Sequence, residues 1–129
     1  MESDVLVVDD SAAIRKILQR VLRQTGMAIR NIYEAGDGQE ALQLLSQQKV
    51  NLVLTDINMP KMDGLQLLAA MKGAPDLRRI PVVMITTEGG EVKVGEAVRL
   101  GATGYVRKPF SADQIKEKLA GVLPAAMSS

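Results

Sequence analysis

Four short polar clusters each follow an apolar run in this sequence, and their residue types suit chemistry at phosphorus. Asp9-Asp10 follows Val5 to Val8, Asp56 follows Leu52 to Leu54, Thr86-Thr87 follows Val82 to Ile85, and Lys108-Pro109 follows a shorter run from Gly104 to Val106. Three carboxylates gathered at one edge would repel and raise each other's pKa unless a cation sat among them. The chain has neither Cys nor His, so that cation must be held by oxygen, which favours Mg2+ with one or two carboxylates, waters and phosphate oxygens around it. One carboxylate can then act as a nucleophile toward phosphorus, because the cation and Lys108 neutralise the charge that builds on the transferring oxygens. Asp56 is the natural nucleophile: it ends a buried strand that fixes its position, while Asp9 and Asp10 hold the ion from the side. Lys108 supplies a flexible point charge, and Thr86 a hydroxyl donor for the phosphoryl oxygens. Each residue also has a plainer reading. Asp9 or Asp10 could cap the following helix, Asp56 could cap a turn, the threonines suit a strand, and Lys108 could lie solvated. Their recurrence at the same end of four runs is the signal.

The elements that must position these groups can be read from periodicity. The runs at Val5–Val8, Leu52–Leu54 and Val82–Ile85 are too continuous for one-sided strands and are expected to be buried on both faces, as in parallel sheets. Ile14, Ile17, Leu18, Val21 and Leu22 share one face of a helix that Gly26 can close. Ala41, Leu42, Leu44 and Leu45 mark a second helix, opened by Asp37-Gly38. Weaker patterns give a strand over 31–34, helices over 65–71 and 92–100, and a short strand over 104–106. Ser111 with Gln114 three residues on forms a capping box for a last helix running to about Gly121. Strand and helix thus alternate five times, which implies an open α/β sheet with helices on both faces. Ligands of such sheets bind beyond the carboxyl ends of the strands, where the winding reverses.

The 129 residues, 47% hydrophobic, are enough for one core and one domain. We expect a domain over 1–123, a frayed tail over 124–129 and no separate output domain. With 16 Lys and Arg against 15 Asp and Glu, the net charge of +1 gives no reason to expect nucleic acid or an anionic membrane as partner. No apolar stretch approaches the roughly 20 residues needed to span a bilayer, and no leader pattern opens the chain. A cytoplasmic protein is the expectation.

The residues also resemble a known family. Val7-Val8-Asp9-Asp10-Ser11, Thr55-Asp56-Ile57-Asn58-Met59-Pro60 with Asp63-Gly64, Met84-Ile85-Thr86, and Gly101-Ala102 with Gly104 through Phe110 are similar to the motifs of response-regulator receiver domains. Over nearly its full length the chain looks most like the single-domain chemotaxis regulators. The resemblance implies a flavodoxin-like, doubly wound five-stranded parallel sheet in the order 2-1-3-4-5. It implies that Asp56 takes phosphate from a histidine kinase, and that Mg2+ is bound by Asp10, Asp56 and the Asn58 backbone carbonyl, with Asp9 contributing through water. It further implies that Thr86 and Lys108 read the phosphoryl group, that the Lys108–Pro109 bond is cis, and that Asn58 and Glu88 tune the phosphoryl lifetime. Tyr105 matches an aromatic whose rotation follows a shift of Thr86. From its type alone it is equally a core aromatic packed between the last two helices. Thr87 is larger than the residue often found there, which bears on access by a phosphatase or small donor.

Rival readings are weighed by residue type. Aspartate-nucleophile phosphatases carry a second Asp two residues after the nucleophile, where this chain has Asn58, and an amide cannot shuttle a proton. A flavin-binding module would need backbone N–H groups and hydroxyls where Asp9-Asp10 present negative charge. The expected output is therefore protein contact: with a flagellar switch component in chemotaxis, or with a His-containing protein in a phosphorelay. Arg15, Lys16, Arg20 and Arg23 on the first helix are either a kinase-docking patch or a solvated face. The expected unphosphorylated form is a monomer.

Overall fold

The computed structural model describes residues 2–86 and 91–122. Along the chain run β1 (Ser3–Val8), α1 (Ala12–Gln24), β2 (Ile29–Ala35), α2 (Gly38–Leu45), β3 (Leu52–Asp56), α3 (Gly64–Lys72), β4 (Val82–Thr86), α4 (Glu91–Arg99), β5 (Gly104–Arg107) and α5 (Ala112–Leu119). The five strands are parallel and lie in the order β2-β1-β3-β4-β5, the doubly wound, flavodoxin-like arrangement. The winding reverses between β1 and β3, so the crevice outside their carboxyl ends is the expected ligand position.

Alternation along the strands divides the core in two. Val5 and Val7 of β1, Leu52 and Leu54 of β3, and Val83 and Ile85 of β4 pack with Leu18 and Leu22 of α1 and Ile115 and Leu119 of α5. On the other face Leu6, Val8, Val53, Val82 and Met84 pack with Ala41 and Leu45 of α2, Leu67, Leu68 and Met71 of α3, and Ala97 of α4. Each Val, Leu, Ile or Met side chain fully removed from water contributes about 1.5–3 kcal/mol. β1 is buried along its whole length, as its unbroken apolar run requires. β2 is an edge strand whose middle residues are largely open, so its apolar pattern is weak, and it extends two residues before and one residue after the expected span of 31–34.

The helix starts are fixed by short polar side chains. Ser11 caps α1, accepting from the Ile14 N–H; neither Asp9 nor Asp10 takes that role. Asp37 caps α2 by accepting from the Glu40 N–H. Ser111 and Gln114 form the expected capping box on α5, and Asp63 and Gln66 form a second, unanticipated one on α3. α1 ends at Gln24, and Gly26 follows with φ +75°, a left-handed conformation suited to glycine. α5 ends at Leu119, two residues before the expected Gly121. Among the described residues no helix is long and apolar enough to cross a membrane.

Candidate functional site

Sheet register brings the acidic residues together. Val8 of β1 lies level with Thr55 of β3, so the next residues, Asp9 and Asp56, leave the sheet side by side. On the far side Asp56 is level with Ile85, and Thr86 with Arg107, which brings the ends of β4 and β5 to the same edge. Asp9, Asp10 and Asp56 each offer a carboxylate oxygen within 4.8 Å of the other two.

Asp9 is almost fully buried, at 1% exposure, and each of its polar atoms has a partner. Its N–H donates to the Ala35 carbonyl at 3.1 Å. Oδ1 accepts from the Ser11 N–H at 2.9 Å, and Oδ2 accepts from Lys108 Nζ at 3.0 Å. The Asp9 carbonyl accepts from Arg15 Nη1 at 2.6 Å, while Arg15 Nε pairs with Glu34 at 2.9 Å. Asp10, by contrast, is exposed. In Asp56, Oδ1 accepts from the Ile57 N–H at 2.8 Å, and Oδ2 faces Lys108 Nζ at 3.6 Å. Lys108 is therefore not a solvated side chain: it is 13% exposed and bridges two carboxylates. The Lys108–Pro109 bond that carries it is cis.

The loop after β3 folds back tightly. The Gly64 N–H donates to the Ile57 carbonyl at 2.8 Å, the Met62 N–H donates to the Pro60 carbonyl at 2.7 Å, and Lys61 takes φ +64°. A Cβ at Gly64 would meet the Asp56 carbonyl oxygen at 2.2 Å and the Ile57 Cα at 3.0 Å, so only glycine lets α3 begin against the backbone of Asp56.

Burial is the main influence on Asp56 and pushes its carboxyl above the usual carboxylate range. The Lys108 ammonium opposes that rise, and the Asp9 and Asp10 charges add to it. A site with three carboxylate oxygens within ligand reach and a single ammonium is thus short of positive charge. Oxygen donors alone, partly exposed through Asp10, suit a hard divalent cation such as Mg2+, which retains waters.

Other expected residues stand apart from this cluster. Thr86 ends β4; its side chain, and all of Thr87 and Glu88, lie outside the described residues. Asn58 is exposed, and its side-chain oxygen accepts from Lys93 Nζ of α4 at 2.6 Å. Tyr105 is not a core aromatic: it is 38% exposed, on a strand whose exposure alternates, with Lys118 Nζ 5.4 Å from its ring centroid. The basic stripe on α1 divides, because Arg15 is engaged as above and Arg23 donates to the carbonyls of Ile29 and Arg30. Lys16 and Arg20 remain exposed. Sequence reasoning did not single out Lys93 or foresee the holding role of Arg15. The Asp63-x-x-Gln66 spacing was a readable signal for the α3 cap, but Lys93 had none.

A family model described as the response regulator receiver domain matches residues 5–120. The chain is 41% identical over 115 residues to chemotaxis protein CheY-3 of Vibrio cholerae, covering 89% of this chain and 87% of that protein. It is 40% identical to chemotaxis protein CheY of Pseudomonas aeruginosa, with 89% and 91% covered. Among solved structures, the chemotaxis response regulator CheY4 of Vibrio cholerae superposes with a TM-score of 0.84 at 32% identity, covering 95% of this chain and all of that one.

Proposed function

The chain belongs to the response regulator receiver domain family, and from that premise we propose that it is a phosphoryl-accepting signalling switch with Asp56 as the acceptor. The observation that carries the assignment is the pairing of Asp56 with both a partly buried cation and two further carboxylates: Lys108 at 3.6 Å, and Asp9 and Asp10 within 4.8 Å. The Ile57 N–H fixes Oδ1 and orients the carboxylate. Oδ2 is left toward Lys108 and free to attack phosphorus. Lys108, tethered to Asp9, then has one ammonium to share between the buried carboxylate and the incoming phosphoryl oxygens. Asp10, Asp56 and the Asn58 backbone carbonyl would hold Mg2+, with Asp9 acting through water. When bound, Mg2+ would supply the positive charge that lets carboxylates and phosphoryl oxygens share this edge.

The product is a signalling state. Two residues beyond Asp56 stands the amide of Asn58, which cannot act in turn as acid and base, so the acyl phosphate is lost slowly and the chain is not a turnover enzyme. Thr86, at the end of the neighbouring strand, is the residue to engage the phosphoryl group. Tyr105, outward and beside Lys118, turns inward as the population shifts, remodelling the face formed by α4, β5 and α5. Glu88 and Asn58 set the lifetime. The phosphodonor is a sensor histidine kinase of the chemotaxis type, the receiver spans 1–123, and the phosphorylated face binds a flagellar switch component, with a phosphatase resetting it.

Labelled phosphotransfer tests this reading. A chemotaxis-type kinase carrying phosphohistidine is expected to lose its label to the wild-type chain and not to Asp56→Asn, and only the labelled chain should bind the flagellar switch protein. Equal labelling of the two chains would overturn the assignment of Asp56.

A further inference from the structure

On the reading that Asp56 accepts phosphate, we propose that Lys93 is a second phosphoryl-binding cation, parked on the Asn58 side chain until a phosphoryl group arrives. Lys108 reaches the carboxylates from the end of β5 and is already committed, its Nζ lying 3.0 Å from Asp9 and 3.6 Å from Asp56. Lys93 comes from α4 and places its Nζ 2.6 Å from Asn58 Oδ1, two residues past Asp56. Among the described residues it has no ion pair with any of the three carboxylates. Its one hydrogen-bond partner among them is a neutral amide, at an exposed position. A strongly hydrated ammonium on a flexible stem gains little from such a partner. A phosphoryl dianion on Asp56 would offer a charged acceptor, and charge-assisted hydrogen bonds are about twice as strong as neutral ones. Exchange of partners would draw on the flexibility of the lysine stem.

The step this cation assists is balanced without a further reactant. A carboxylate oxygen of Asp56 gives an electron pair to phosphorus as the bond from phosphorus to the donor's acyl oxygen breaks. The leaving pair departs on the donor carboxylate, and no net proton moves. Throughout, the transferring group keeps negative charge, and the side-chain cation placed to meet it, Lys108, is shared with Asp9. Lys93 brings positive charge from the α4 side, attracting the anionic donor and then pairing with the bound phosphoryl oxygens. It also ties the start of α4 to the state of Asp56.

The test is the second-order rate constant for phosphorylation by acetyl phosphate with Mg2+, followed by gel mobility, in wild type, Lys93→Gln, Lys93→Arg and Asn58→Ala over a range of salt. Lys93→Gln is expected to slow phosphorylation about threefold to tenfold at low salt and to flatten its salt dependence, since one charge near a dianion acts at close range and is screened. Lys93→Arg should stay within about twofold of wild type. Asn58→Ala should be faster, because it frees the ammonium. If Lys93→Gln matches wild type, or if Asn58→Ala slows the reaction as much as Lys93→Gln with the salt slope intact, Lys93 merely positions the loop and the proposal fails. A wild type that takes no phosphate while a control receiver does would instead remove the Asp56 reading on which the proposal rests.

Discussion

Replacing Asp56 by Asn is expected to stabilise the metal-free fold while removing its function. Two unit charges 4.8 Å apart, the limit for the carboxylate oxygens, repel by about 3.5 kcal/mol at an effective dielectric of about 20. That figure applies to Asp9, which is buried; exposure of Asp10 brings its repulsion below about 1 kcal/mol. Lys108, 3.6 Å from Oδ2, attracts Asp56 by a similar total, so the Coulombic contributions nearly cancel. What remains is the cost of holding a carboxylate at 13% exposure, the same desolvation that leads the upward push on its pKa. Asn has nearly the same shape, keeps the acceptor for the Ile57 N–H and carries no charge. We expect a gain of about 1–2 kcal/mol, which for a chain of this length raises the melting temperature by about 4–8 °C. Because the folded-state pKa is raised, the penalty in wild type is fully present above that pKa and fades as pH falls toward the unfolded value of about 3.9. The gap between variants should therefore be widest near neutral pH and close toward pH about 4. Thermal unfolding by circular dichroism in chelator measures it. Saturating Mg2+ should then favour wild type, by about 2.7 kcal/mol at a hundredfold excess over Kd, with a smaller gain in the variant. A lower melting temperature for Asp56→Asn in chelator would refute the electrostatic account of the site.

Three other perturbations probe the frame around the acceptor. Gly64→Ala drives a Cβ to 2.2 Å from the Asp56 carbonyl oxygen, a backbone atom that cannot swing away. A loss of about 3 kcal/mol or more is expected in urea unfolding, and a loss under about 0.5 kcal/mol would mean the loop relaxes freely. Lys108→Met strands the buried Asp9 carboxylate, whose Oδ2 loses its 3.0 Å partner; stability should drop by about 3 kcal/mol at neutral pH, and an unchanged urea midpoint would contradict the pairing. At the opposite end of the strands, the Arg30 hydrogen bond is the main influence holding the Asp4 carboxyl below the usual range. Stability from that pair is present above the unfolded pKa of about 3.9 and lost as pH falls through the folded value. Arg30→Ala should flatten the acid side of the melting-temperature profile, and an unaltered slope there would assign acid sensitivity elsewhere.

What could be read from sequence follows from how locally each feature is encoded. β1, β3 and β4 announced themselves because a strand covered on both faces must be apolar at every position, as Val5 to Val8 are. Asp9, Asp10, Asp56 and Lys108 stood out because each interrupts or follows such a run, and a parallel sheet carries all its strand ends to one edge. β2 was read short because an edge strand open along its middle carries only a weak apolar pattern, which left Ile29, Arg30 and Ala35 outside the span of 31–34. The dual grip of Lys108 could not be read, since it joins residues 99 apart. The contact from Lys93 to Asn58 spans 35 positions of no particular pattern. Gly64 was visible as a motif residue, but its reason is a backbone approach that exists only once α3 is docked on β3. For Tyr105 the residue type allowed either a core or a surface place, and its position on a short, half-open strand put it outside.

The central claim is that this cluster makes Asp56 a phosphoryl acceptor, and the most direct measurement is intact-protein mass after incubation with a small acyl or amido phosphodonor. Wild type with Mg2+ is predicted to gain one phosphoryl group, acid-stable and base-labile, and to gain none in chelator or when Asp56 is Asn. An adduct of equal yield in Asp56→Asn, or one indifferent to chelator, would contradict the account.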